Sequence, residues 1–224
     1  MIGLIGHSEG GMIAPMVAAR SSDVSFIVLL AGLGQRGEDL IYSQIELIHK
    51  AQGTHVDTLR HTVTLVKRVH SIVKSETDEK RIEQKIDEEI AAYDRTLPDL
   101  QKQLFKPAAA EVKTYMPMYK TPWYRYFITF DPQPVLKNVK VPVLALNGEL
   151  DLQVSAKENL ELIGAGLKAN GDVTLKAFPK LNHLFQTSQT GLPSEYGQID
   201  ETMSPDVLKT ISDWILQRTV QKVQ

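Results

Sequence analysis

Apolar and polar positions change period several times along the chain. Residues 1–5 form a continuous apolar run that stops at Gly6, the pattern of a buried strand feeding a tight turn. Beyond the turn, Met12, Ile13, Met16 and Val17 recur at helical spacing as far as Arg20, and residues 25–30 make a second apolar run between Asp23 and Gly32. From residue 34 to residue 130 the period is helical: Leu40, Ile41, Ile45 and Ile48, then Val56, Leu59, Val63 and Val66, then Ile82, Ile86 and Ile90. Ser75-Glu76-Thr77-Asp78 reads as a capping box for the last stripe, whose other face interleaves Glu, Lys and Asp as a solvated helix surface does. Strand and helix then alternate over residues 141–146, 155–167, 173–178 and 204–218, while the stretch between Phe178 and Ser204 carries little regular pattern. Such alternation predicts an α/β fold, a parallel sheet with helices on its faces, built from residues 1–33 and 131–224 and interrupted by a helical insertion over 34–130.

At 224 residues the chain can bury a substantial core, and 42% hydrophobic with 23% charged residues is the balance of a globular protein. A net charge of -2 with no long basic run gives nucleic acid no electrostatic footing. No window approaches the roughly 18 apolar residues of a membrane span. Cysteine is absent, which removes disulfides, thiolate metal sites and cysteine nucleophiles together and leaves the compartment open.

The chemistry begins at Gly6-His7-Ser8-Glu9-Gly10. A serine hydroxyl needs a base within reach and a position that presents its oxygen, and a sharp strand-to-helix turn supplies the position. The residues two before and two after the serine are expected to be small because strand and helix backbones crowd there, and Gly6 and Gly10 fill those places. At the start of the helix the backbone N–H of Glu9 is an oxyanion donor for charge developing on a substrate carbonyl. Residues 141–146 run into Asn147-Gly148-Glu149-Leu150-Asp151, so Asp151 lies at a strand's carboxyl end and is the expected acid, with Glu149 a weaker rival. Residues 173–178 lead through Pro179-Lys180-Leu181-Asn182 to His183, the expected base, which is the only histidine after His70. His49, His55, His61 and His70 all fall in the helical block; Glu46-Leu47-Ile48-His49 has di-iron spacing, but no second copy accompanies it and no zinc-peptidase histidine pair occurs, so no metal is expected.

With these pieces placed, the chain resembles the α/β-hydrolase superfamily, and within it the bacterial acyl-ester hydrolases whose helical cap follows the strand after the nucleophile helix. The resemblance rests on Gly6-His7-Ser8-Glu9-Gly10-Gly11, Gly148-Glu149-Leu150-Asp151, Asn182-His183, the closing helix from Ser204-Pro205 to Trp214, and the stretch from Pro122-Trp123-Tyr124-Arg125-Tyr126-Phe127 to Asp131-Pro132. It implies a serine hydrolase that cleaves carboxylic esters with a triad of Ser8, Asp151 and His183, without a metal or organic cofactor. A peptidase or thioesterase would use the same triad. It further implies a cap over the site, with Trp123, Tyr124, Phe127, Met116 and Met118 lining a substrate pocket. Ordinary cap-to-core packing also accounts for those aromatics.

The family carries about four more strands before the nucleophile strand, including the loop that supplies the second oxyanion donor. The chain therefore reads as the C-terminal half of such a fold. Loss of one donor elsewhere costs about a hundred- to a thousandfold in turnover, so a catalytically inactive fragment acting as a binding or assembly module is the alternative expectation. The apolar residues 1–5 would then form an exposed sheet edge, which invites self-association.

Overall fold

The computed structural model describes residues 1–219, and residues 220–224 of the expected core segment 131–224 lie outside them. The chain divides into two compact units, one formed by Met1–Gln35 with the segment from Asp131 onward, the other by Arg36–Phe130.

In the first unit, strands β1 (Ile2–His7), β2 (Val24–Leu30), β3 (Val143–Gly148) and β4 (Val173–Phe178) form one parallel sheet in the order β1-β2-β3-β4. The two central strands, β2 and β3, are buried on both faces, which is why they read as continuous apolar runs rather than alternating ones. Ile27, Leu29, Val143 and Ala145 pack under helices α1 (Glu9–Ala18), α8 (Gln133–Leu136) and α9 (Ala156–Gly166). Phe26, the residue before Ile27, points to the opposite face, where its ring meets Trp214 of α10 (Pro205–Thr219) edge-on at 5.9 Å. β1 is an edge of this sheet, with Ile2 and Ile5 55% and 56% exposed.

β1 runs two residues past the apolar stretch, because Gly6 and His7 pair with Leu29 and Leu30 and the Ser8 N–H donates to the Leu30 carbonyl at 2.8 Å. The turn is therefore centred on Ser8. A β-carbon at Gly6 would lie 2.0 Å from the Gly10 carbonyl oxygen, so strand and helix can meet only over a glycine. Gly10 itself departs from the expectation of crowding, since a β-carbon there meets nothing within 4 Å; Gly11 is the second obligatory glycine, 2.6 Å from the Gly32 α-carbon by the same test.

The chain leaves this unit after Gln35 and returns at Asp131, and both points are fastened to α9. Buried Asn159 accepts through Oδ1 from the N–H groups of Gly34 (2.9 Å) and Gln35 (3.1 Å). Gln133 Nε2 donates to the carbonyls of Gly34 (3.0 Å) and Leu162 (3.1 Å).

The second unit consists of α2 (Gly37–Ala51), α3 (Val56–Ser75), α4 (Glu79–Thr96), α5 (Asp99–Thr114), α6 (Met116–Tyr119) and α7 (Pro122–Thr129). The capping-box reading is corrected here. Ser75 is the last residue of α3, its hydroxyl donating back to the Ser71 and Ile72 carbonyls, and Asp78 caps α4 by accepting from the Arg81 N–H at 2.9 Å. α3 buries two histidines. His61 is held by Tyr93 and Gln101, and His70, fully buried, by the hydroxyls of Tyr42 (2.9 Å) and Tyr124 (2.7 Å). The Tyr42 hydroxyl donates to Glu38, so it accepts from His70 Nδ1, and Nε2 must accept from Tyr124. Burial lowers the pKa of His70 from 6.5 to about 4, in agreement with this neutral form.

Two outcomes are expected. Gly6→Ala should cost about 3 kcal/mol or more in urea unfolding, since backbone must move, whereas Gly10→Ala should stay within about 1 kcal/mol of the parent. Between about pH 4 and 6.5 the unfolded His70 binds a proton that the folded one does not, so stability falls as pH falls through that window. Unfolding measured at pH 7.5 and pH 5 should show about 2 kcal/mol more loss on acidification for the parent than for His70→Gln.

Candidate active site

Ser8, Asp151 and His183 all follow strand ends on the carboxyl side of the sheet, after β1, β3 and β4. Ser8 has φ 53° and ψ -114°, a combination that L-residues avoid, imposed by the Gly6–Gly10 approach. Its side chain makes no cap bond to α1, so the hydroxyl is not spent on the helix. Glu9 is the first residue of that helix.

Asp151 sits in the turn after β3 with its side chain fully shielded. Oδ1 accepts from the backbone N–H groups of Gln153 and Val154, each at 2.8 Å, which pins the carboxylate within its own loop. Oδ2 faces the other way and accepts from His183 Nδ1 at 2.8 Å and from Asn147 Nδ2 at 3.3 Å. Asn147 is anchored in turn to the Val154 carbonyl at 2.8 Å. Glu149, the rival acid, is exposed.

The loop after β4, irregular in sequence, is a tightly bonded structure. Asn182 Oδ1 accepts from the N–H groups of Leu184 and Gln186, both at 3.0 Å, while its Nδ2 donates to Gln186 Oε1 at 3.0 Å. Lys180 and Phe185 adopt positive φ of 63° and 62°, turning the chain sharply on both sides of His183, and the Phe185 ring is wholly buried. Gly148 allows this loop to lie against the end of β3: a β-carbon there would sit 2.2 Å from the Leu181 carbonyl oxygen.

His7 closes the site from β1. Its Nε2–H donates to the His183 carbonyl at 2.8 Å, and the two rings lie 4.7 Å apart. Partial burial lowers the His7 pKa, opposed by that backbone bond. The structure thus brings Asp151 and His183 into direct contact and sets the residue preceding Ser8 against them. Among the described residues no hydrogen bond joins Ser8 Oγ to His183 Nε2. With Nδ1–H directed at the carboxylate, Nε2 carries the ring's lone pair and can take up a proton.

The residues expected to line a pocket lie in the helical unit and have different surroundings. Tyr124 is buried with its hydroxyl on His70, and with Met118 it borders a cavity within that unit. Trp123, 45% exposed, stacks on Phe127 at 5.5 Å; Met116 and Phe127 are buried, and none of these three borders that cavity. Sequence reasoning missed the bracing roles of Asn147, Asn182 and His7, which no local spacing announces.

No family profile matches the chain, and no curated protein does. Among solved structures it is similar to an esterase of Pyrococcus furiosus, at 12% identity and a TM-score of 0.44, covering 97% of this chain and 53% of that one. It is also similar to a proline iminopeptidase of Mycobacterium smegmatis, at 16% identity and 0.45, covering 99% and 67%. An α/β hydrolase from a Medee basin deep-sea metagenome library matches at 15% identity and 0.44, covering 97% and 64%. A four-stranded parallel sheet flanked by helices, with a strained serine where the first strand turns into a helix and then an aspartate and a histidine after later strands, gives this chain an α/β fold.

Proposed function

We propose that the protein is a serine hydrolase that cleaves carboxylic esters through an acyl-enzyme on Ser8. The observation that supports this best is the buried 2.8 Å bond between Asp151 Oδ2 and His183 Nδ1, whose carboxylate is fixed by two backbone donors of its own loop. Asp151 orients the imidazole and stabilises its charged form, and His183 Nε2 is the general base. Ser8 Oγ gives its proton to Nε2 as it bonds to the ester carbonyl carbon. The carbonyl oxygen becomes an oxyanion, for which the Glu9 backbone N–H at the positive end of α1 is a donor. On collapse the carbon–alkoxy bond breaks, and the alcohol leaves with the proton from His183. Water then repeats the sequence, losing a proton to Nε2 as it attacks, and the acid leaves Ser8 protonated. The Ser8–His183 hydrogen bond this requires would form with substrate in place, as catalytic bonds commonly tighten only in the complex. Binding or assembly without turnover is the reading that fits a serine not yet bonded to its base.

The chain spans 53% of the Pyrococcus esterase, so activity is tested first by covalent capture. A fluorophosphonate probe should label the folded chain at Ser8, located by mass spectrometry of peptides; a folded chain that stays unlabelled would favour the non-catalytic reading. In the ester-cleaving form, Ser8→Ala should lower hydrolysis of p-nitrophenyl acetate by about 10⁴-fold or more, and undiminished turnover sinks the assignment. Asp151→Asn should leave the fold in place and lower kcat by about 10⁴-fold, because His183 then loses its oriented tautomer.

A further inference from the structure

The helical unit contains a cavity of about 200 Å³ that the proposed ester chemistry does not use. Ile41, Ile45 and Ile48, which share one side of α2, give it an apolar wall. Three tyrosines border the same space: Tyr115, which follows α5, Tyr119 of α6 and Tyr124 of α7. Among the described lining residues Glu111 of α5 is the one carboxylate, and no lysine or arginine joins it. Lys113 and Lys120, close to these groups along the chain, are paired with Asp87 and Glu83 instead. His49 Nε2 lies 3.2 Å from Glu111 Oε1 and 3.1 Å from Oε2, so a single N–H serves both oxygens and leaves the carboxylate lone pairs to spare. Glu111 is part-exposed and Tyr115 exposed, so the carboxylate stands where the space meets solvent.

Tyr119 supplies the second polar group. The residue is only 2% exposed, and its hydroxyl has no hydrogen-bond partner among the described residues. Unlike the sealed Nδ1 of His49, that oxygen stays open to water, and the space beside it is this cavity. The charge of Glu111 is felt there: burial first, and that carboxylate second, push the Tyr119 pKa up and keep the phenol protonated.

We propose that this cavity binds an organic ammonium ion, a primary amine on one small apolar body, whose N–H groups donate to the Glu111 carboxylate and the Tyr119 oxygen. Charge, size and polarity each restrict the ligand. The formal charge of the lining is negative, and tyrosine rings add their own attraction for a cation close to their faces. The Tyr124 hydroxyl is already engaged by His70, so that residue contributes its ring. Gln44, which also borders the space, carries an amide that can donate or accept, so Glu111 decides the preference. An apolar cavity of about 150 Å³ accepts benzene, so one ring with a two-carbon arm fills this one. The isoleucine wall offers a second charge no partner, which excludes a polyamine.

The inference uses nothing from the Ser8 site, so either reading can fail alone. The test is calorimetric titration of the chain at pH 8, where primary amines are charged and imidazoles ordinarily neutral, with 2-phenylethylamine, 2-phenylethanol and 3-phenylpropionate. Saturable binding of the amine is expected with a Kd of about 1 mM or tighter, with the alcohol about tenfold weaker and the acid weaker still. Glu111→Gln should bind amine and alcohol alike, and Tyr119→Phe should weaken the amine about threefold. Should Glu111→Gln fail to fold, the carboxylate carbon-13 shift of Glu111 in the parent gives the same answer, since the amine should move it and the alcohol should not. No amine binding at about 10 mM, an alcohol or acid bound as tightly as the amine, an unchanged preference in folded Glu111→Gln, an unchanged amine affinity in folded Tyr119→Phe, or an unmoved Glu111 shift would each overturn the proposal.

Discussion

Gly6 and Gly10 are close enough that a β-carbon on the first would meet the carbonyl of the second, and the geometry of the site follows from that approach. Because β1 and α1 nearly touch, the single residue that reverses the chain must take up φ 53° and ψ -114°. A conformation of that kind costs about 1–3 kcal/mol and persists only where its surroundings over-determine it. Here the ladder to β2 holds the near side through Leu30, and the first turn of α1 holds the far side, with the Gly11 N–H on the Ser8 carbonyl at 2.8 Å. The serine is half-buried at the turn, its backbone clamped on both sides and its side chain making no cap bond to the helix.

Asp151 and His183 are held by a different device. Neither relies on a regular element; each loop is braced by one amide or carboxylate that bonds its own backbone. Asp151 secures the turn after β3 with one oxygen and meets His183 with the other, while Asn182 secures the turn after β4 from inside. The imidazole therefore inherits its orientation from two rigid turns that converge on the same strand ends.

Much of this was legible in the order of apolar runs, because parallel strands buried on both faces announce themselves as continuous hydrophobic segments. β4 and α10 fall where periodicity places them, and Ser8, Asp151 and His183 each follow a strand end on the carboxyl side of the sheet. What stayed hidden depends on pairs far apart in the chain. Gly10 looks obligatory from the spacing alone, yet the crowding falls on Gly6 and, one residue further, on Gly11 against Gly32. Tyr124 reads as an aromatic liner, but its hydroxyl is consumed by His70 on α3, and His49 finds its carboxylate on α5. Such partnerships need the fold before they exist. The capping box failed for a local reason: Ser75 is still helical, and Asp78 competes successfully for the same N-terminus.

The fastening of Gly34 and Gln133 has a consequence for how such a protein can diversify. Both ends of the helical segment are tied to α9 by Asn159 and Gln133, inside the sheet-bearing unit, and β2 pairs directly with β3 regardless of what lies between them. The junction therefore works as a port. Segments of other lengths and shapes can be inherited or grafted there without changing strand register, and lengthening costs little, about 0.6 kcal/mol for each doubling of a flexible connection. Selection can thus rewrite the helices while the strand ends that carry serine, aspartate and histidine stay untouched.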